Sequence, residues 1–132
     1  MTTAIGTELP PFTVEVTPTF VISTALATRD FQDVHHDRDA AVARGSKDIF
    51  LNILTDTGLV QRFVTDWAGP QALVTAIKIR LGVPCYAGDT LTFTGRVTAR
   101  DGDELEIAVS ATDSLGEHVT GTVRVVVPGE PA

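Results

Sequence analysis

Between Lys47 and Trp67 the apolar residues fall at Ile49, Phe50, Ile53, Leu54, Leu59, Val60, Phe63, Val64 and Trp67. Spacings of three, four and seven dominate, and that is the period of an α-helix. Ser46 reads as the N-cap, Asp48 as a first-turn acid facing the positive end of the helix dipole, and Gly69-Pro70 as the stop. At 1.5 Å per residue such a helix would run about 30 Å, enough to cross a small domain. It is apolar around most of its girth, so other elements must cover it on more than one side. This one segment sets what the rest of the chain has to do.

Four runs with period two follow it. Leu73, Thr75, Ile77, Ile79 and Leu81 line the first, and Leu91, Phe93, Gly95, Val97 and Ala99 the second. Leu105, Ile107, Val109 and Ala111 line the third, and Val119, Gly121, Val123, Val125 and Val127 the fourth. Asp101-Gly102-Asp103 between the second and third is a hairpin signal, and Leu115-Gly116-Glu117 is a further turn. Upstream of the helix, Phe20, Ile22, Thr24 and Leu26 alternate with Val21, Ser23, Ala25 and Ala27, which predicts another strand. Residues 1–18 carry Pro10, Pro11 and Pro18 and read as an irregular or edge-hugging N-terminal arm. Asp39 to Arg44 reads as a short helix stopped by Gly45, and residues 128–132 as a frayed tail. The economical packing is α+β: an antiparallel sheet wrapped around one long central helix, the hot-dog fold, as a single domain over 1–132. Its open sheet edges predict an oligomer.

Composition narrows the partners. Ten Lys and Arg against seventeen Asp and Glu leave a net charge of −7 on 132 residues. Binding to phosphate backbones needs a clustered basic surplus, so a nucleic-acid partner is excluded, as is a polybasic membrane-surface module. Cys85 is the only cysteine, which rules out an intramolecular disulfide and a CxxC metal or redox site. The opening residues lack the pattern of a secretory signal, and no apolar run approaches the ~18 residues of a membrane span. The expected location is cytoplasmic.

The densest titratable cluster is Arg29-Asp30-Phe31-Gln32-Asp33-Val34-His35-His36-Asp37-Arg38-Asp39, ahead of the long helix. Three readings fit these residues. One is a solvated acidic loop whose histidines pair with neighbouring aspartates. Another is a metal site from His35, His36 and Asp37, although adjacent residues tend to point apart and metal ligands usually come from more separated positions. The third is an acid/base pair, Asp30 and His35, sharing one water molecule. His36 reads as solvent-facing. His118 lies out of phase with the core face of its strand and reads as exposed or partner-facing. Phe50, Phe63 and Trp67 read as core or interface, and Cys85 as a small apolar filler without the cationic surroundings of a nucleophile.

Asp30-Phe31-Gln32-Asp33-Val34-His35-His36-Asp37 resembles the signature Asp-x-Asn-Pro-[Ile/Leu/Val]-His-x-Asp of the MaoC-like, R-specific enoyl-CoA hydratases. Val83-Pro84 and Gly88-Asp89-Thr90-Leu91 resemble that family's downstream turn, so the resemblance spans about residues 19–127. Ser23 to Asp30 and Asn52 to Val60 look closer still to the small MaoC-like subunit of the actinobacterial steroid side-chain hydratase. The resemblance implies that Asp30 and His35 are the catalytic pair; Asp37 also matches the signature and reads as structural, holding the loop. It implies hydration of a trans-2-enoyl-CoA of the 3-oxo-pregna-4,17-diene-20-carboxyl-CoA type in cholesterol or steroid degradation. No cofactor is implied, because the CoA thioester is itself the substrate. A second MaoC-like hot-dog subunit, in a heterodimer or heterotetramer, is the implied partner. The family's Asn-Pro is Gln32-Asp33 here, and its His-Gly at the helix has no counterpart. Counting from Asp30 without gaps puts the thioester-oxygen donor at the Ile53 backbone N–H, with Asn52 shaping the pocket; a gap moves it to Ile49 or Phe50. Donors at a helix start suit a developing enolate, and the start expected here follows Ser46. Lys78 and Arg80 are candidates for the CoA phosphates, with the partner supplying the remaining contacts.

Two other functions fit a hot-dog chain. A non-catalytic scaffold or binding subunit would have no use for an Asp30–His35 pair. A hot-dog acyl-CoA thioesterase usually carries its carboxylate on the long helix, where Asp56 is the candidate.

Overall fold

The computed structural model describes residues 3–129. Five strands form one antiparallel sheet in the order β1-β3-β4-β5-β2: β1 Glu8–Val16, β2 Leu73–Leu81, β3 Asp89–Asp101, β4 Glu104–Asp113 and β5 Gly116–Val126. Three helices complete the chain: α1 Pro18–Ala27, α2 Arg38–Ala43 and α3 Ile53–Ala68. Helix α3 lies in the sheet's concave face, its buried residues Leu59, Val60, Phe63 and Val64 packing with Leu91, Phe93, Ile107 and Val123 of the strands. Each such side chain taken from water contributes roughly 1.5–3 kcal/mol. This is the hot-dog arrangement the sequence predicts.

Three local readings differ. The stretch around Phe20 to Leu26 is helix α1, not a strand. Thr17 caps it, its hydroxyl accepting the Phe20 N–H at 3.0 Å, and Pro18 stands at the first helical position. Val21 and Ala25, four apart, are its buried residues. The pattern also satisfied period two because both faces of the segment are apolar or small.

The long helix begins at Ile53 rather than Lys47, so it has 16 residues and is about 24 Å long. Residues 47–52 are a non-helical strap that bends at Lys47-Asp48: Leu51 donates its N–H to Cys85 O at 3.1 Å, and Ala87 donates to Ile49 O at 3.0 Å. Ser46 and Asp48 therefore do not cap α3. Asn52 occupies the N-cap position, and Gly69 ends the helix as expected. Apolar residues of the strap, Ile49 and Leu51, are buried and extend the apolar run without sharing the helix.

Within the N-terminal arm, residues 8–16 form edge strand β1 on β3. Pro10 and Pro11 fall in its register shift between Leu9 and Phe12, where a missing N–H costs no ladder bond. Pro128 and Gly129 lie beyond β5, while residues 130–132 of the expected tail lie outside the described residues.

Candidate active site

Helix α1 ends in a Schellman turn that aims the next residue. Arg29 N–H bonds Leu26 O at 3.1 Å and Asp30 N–H reaches back to Ala25 O at 2.9 Å. Arg29 takes φ 60°, the only positive φ at a non-glycine among the described residues. Such a left-handed conformation costs about 1–2 kcal/mol, and here it sits beside Asp30. The chain then passes through a 3₁₀ turn, Asp33–His35, which brings His35 back to Asp30. His35 Nε2 and Asp30 Oδ2 are 3.4 Å apart. In place of the family's proline, Asp33 pairs with Arg44 of the residue following α2, Nε to Oδ1 at 3.0 Å, and that pair holds the turn.

His35 is buried, and its orientation is fixed at the other ring nitrogen. Nδ1–H donates to Phe50 O at 2.7 Å, and the Phe50 ring meets the imidazole edge-on at 4.9 Å. With the hydrogen on Nδ1, Nε2 of the neutral ring presents a lone pair toward Asp30. Asp37 accepts the Ala40 N–H at 3.1 Å and caps α2, the structural role expected of it. His36 is exposed. Among the described residues no group of three potential ligands is placed to hold a metal ion.

The start of α3 is tied to both residues of the pair. Asn52 is buried, donates Nδ2–H to Thr28 Oγ1 at 2.8 Å, and accepts the Thr55 hydroxyl. Thr28 is two residues before Asp30, and Phe50 is two before Asn52. Asn52 thus spends its amide on framing and leaves the backbone donors of the first turn open: the Ile53 and Leu54 N–H groups have no acceptor among the described residues. Phe31, Ile53, Leu54 and Leu26 stay exposed and give this region an apolar surface.

Lys78 and Arg80 are not brought to this place. They project from the sheet face opposite α3, since their neighbours Ile77 and Ile79 pack on the core and β2 alternates. Cys85 is fully buried, as a filler would be, and burial together with the charges of Asp113 and Asp89 pushes its thiol well above the ordinary range.

His118 departs most from its sequence reading. Ala111 pairs with Val119 and Thr112 with Glu117, so His118 is the extra residue of a β-bulge and turns inward. It is buried, its Nε2 lies 2.9 Å from Asp56 Oδ1 on α3, and its Nδ1 lies 2.6 Å from Val83 O. Gly82 makes this possible, because a Cβ there would stand 2.2 Å from Glu117 O. Strand periodicity conceals this pair, because the register shift that turns His118 inward leaves no local pattern in the sequence.

No protein-family model matches the sequence. The chain is 63% identical over 122 residues to the 3-oxo-4,17-pregnadiene-20-carboxyl-CoA hydratase beta subunit of Mycobacterium tuberculosis, covering 92% of this chain and 95% of that protein. A chain of the ChsH1-ChsH2 complex from Mycobacterium tuberculosis superposes with a TM-score of 0.94 at 61% identity, over 96% of this chain and 99% of that one. The (R)-hydratase from A. caviae involved in PHA biosynthesis shares the fold at a TM-score of 0.86 and 18% identity, over 95% and 97% of the two chains.

Proposed function

The chain belongs to the MaoC-like hydratases, in the family of the 3-oxo-4,17-pregnadiene-20-carboxyl-CoA hydratase beta subunit, and we propose that it is the catalytic subunit of a heteromeric steroid side-chain enoyl-CoA hydratase. The observation that carries this reading is the Asp30–His35 pair, 3.4 Å apart, tied to a helix start with open backbone donors.

A water between the pair would donate one hydrogen to His35 Nε2 and the other to the Asp30 carboxylate. Its lone pair is then free for C3 of the trans-2-enoyl group. As the C3–O bond forms, the water's proton passes to Asp30 and the C2=C3 electrons move toward the thioester carbonyl. The Ile53 N–H at the positive end of α3 receives the oxygen that gains this charge. The pair returns a proton to C2 on the same face, and the product is the 3-hydroxyacyl thioester. Water and thioester are the only reactants, so no cofactor enters.

The exposed Phe31, Ile53, Leu54 and Leu26 offer apolar contact to a sterol-sized acyl group. The CoA phosphates do not find Lys78 or Arg80 near the pair, and a chain of net charge −7 is a poor sole host for them. A second hot-dog subunit supplies what is missing, consistent with a relative solved as the ChsH1-ChsH2 complex. A cytoplasmic location suits a CoA thioester substrate. A thioesterase reading loses its carboxylate, because Asp56 is fully buried and engaged by His118.

The test is a spectroscopic hydration assay with steroidal and linear enoyl-CoA, with and without the partner subunit. Asp30→Asn and His35→Ala should each lower the rate by roughly 10²–10⁴-fold while leaving the melting transition cooperative. Near-normal turnover in either variant sinks the assignment.

A further inference from the structure

Asp56 and His118 form a hydrogen-bonded pair in the interior that the chemistry above does not use. Asp56 is the fourth residue of α3, and its own N–H closes the first turn on Asn52 O at 3.2 Å. That turn carries the open Ile53 and Leu54 donors. Both ring nitrogens of His118 face acceptors, Asp56 Oδ1 at 2.9 Å and Val83 O at 2.6 Å. The Val83 carbonyl can only accept, so Nδ1 carries a hydrogen. One further proton must then lie between Nε2 and Asp56 Oδ1. On either atom it leaves the pair neutral overall, whether as imidazolium with carboxylate or as imidazole with carboxylic acid. Asp56 Oδ2 is buried without a hydrogen-bond partner, so a charge left on this carboxylate has little to spread into.

We propose that the Asp56–His118 pair is a positioning and charge-neutralising device for the thioester-binding turn of α3, and that loss of its shared proton slows hydration at alkaline pH. The proposal rests on the reading of Ile53 as the oxyanion donor. An ionised Asp56 left alone would sit about one helical turn behind the atoms that receive the enolate oxygen. Repulsion in a partly desolvated interior opposes charge building there, and one uncompensated unit charge is enough for a tenfold effect or more. The field acts on the transition state more than on the uncharged thioester, so it lowers kcat and leaves KM nearly alone.

The surroundings favour retention of the proton. Burial pushes the Asp56 carboxyl upward, and its contacts with His118 only partly offset that. Burial alone would lower His118, but the bond to Asp56, the Asp56 charge, the Val83 carbonyl and the Asp113 charge together raise it. Burial thus holds the proton on the Asp56 side of the pair, and the contact with Asp56 holds it on the His118 side. The titratable groups facing the pair are thus His35 from the 3₁₀ turn, Asp113 at the end of β4, and Cys85 from the segment after β2. Burial and the neighbouring carboxylates push the Cys85 thiol well above its ordinary range, so it keeps its proton on the alkaline side.

The experiment is kcat and KM of the assembled heteromer from pH 6 to 9.5 for the wild type and Asp56→Asn, with Asp30→Asn as control. The wild type should lose at least tenfold in kcat across the alkaline half at nearly constant KM. Asp56→Asn, which cannot become charged, should lack that fall whatever its absolute rate. A side-chain NMR titration of His118 in the wild type provides a measurement independent of any variant's folding. The His118 ring resonances should change with pH only well above the ordinary imidazole range. An alkaline fall that persists in Asp56→Asn, a wild type without such a fall, or a His118 that titrates below pH 7 overturns the proposal. If Asp30→Asn retains activity, the hydratase reading itself fails; if it is inactive and the alkaline fall persists in Asp56→Asn, only this inference fails.

Discussion

Arg29 shows how a single backbone angle can serve the site. Its left-handed φ of 60° closes the end of α1 and sets the direction from which Asp30 leaves the helix. Glycine would hold the same turn without the Cβ strain but would lose more chain entropy on folding. The balance predicts that Arg29→Gly raises stability by roughly 0.5–1 kcal/mol in denaturant unfolding. A fall in stability would mean that the side chain makes a contact outweighing the strain. Burial makes Asp56 and His118 a stability question too. The folded pair binds its shared proton more tightly than a free imidazole, whose ordinary pKa is about 6.5. Its contribution is therefore complete below about pH 6.5 and is lost as pH rises through the higher folded value. Urea midpoints should decline on the alkaline side, and His118→Ala, which strands a buried carboxylate, should cost about 3–5 kcal/mol at neutral pH. Midpoints that are flat from pH 6 to 9 would contradict the shared proton.

At the scale of elements, close approach of strands decides what is tolerated. A Cβ on Gly121 would lie 2.0 Å from Lys78 O and 2.9 Å from the Ile79 Cα, both backbone atoms that cannot swing aside. Gly121→Ala should therefore push β2 off β5 and cost about 1–3 kcal/mol or more, read as a lowered melting temperature. The elements also show what could be read in advance. Strands β2 to β5 were legible because each buries one face, so period two survives in Ile77 and Ile79 or in Leu105, Ile107 and Val109. Helix α1 was not, because Val21 to Leu26 is apolar or small on every side and fits either period. The start of α3 was obscured by Ile49 and Leu51, which are buried in the strap and continue the apolar run. The Asp30 and His35 positions were legible through a short local signature. The Asp56–His118 pair joins residues 62 apart through a bulge, and no local pattern announces a bulge.

At the scale of the molecule, the sheet leaves β1 and β2 as its edges, and Leu26, Phe31, Ile53 and Leu54 are exposed on the segments that carry the pair and the start of α3. The net charge of −7 adds an electrostatic reason for a partner, because CoA brings several phosphates to a chain whose cations Lys78 and Arg80 lie across the sheet. The purified chain alone should therefore turn over steroidal enoyl-CoA far more slowly than the heteromer, a difference that should show chiefly in KM. Full activity of the isolated chain would remove the need for a second subunit. The most direct test is the hydration rate of steroidal enoyl-CoA by the heteromer with Asp30→Asn in this chain, beside the wild type under the same conditions. A loss of roughly 10²–10⁴-fold with the fold intact is the predicted result; a rate within a few-fold of wild type would contradict the claim that this chain carries the catalytic pair.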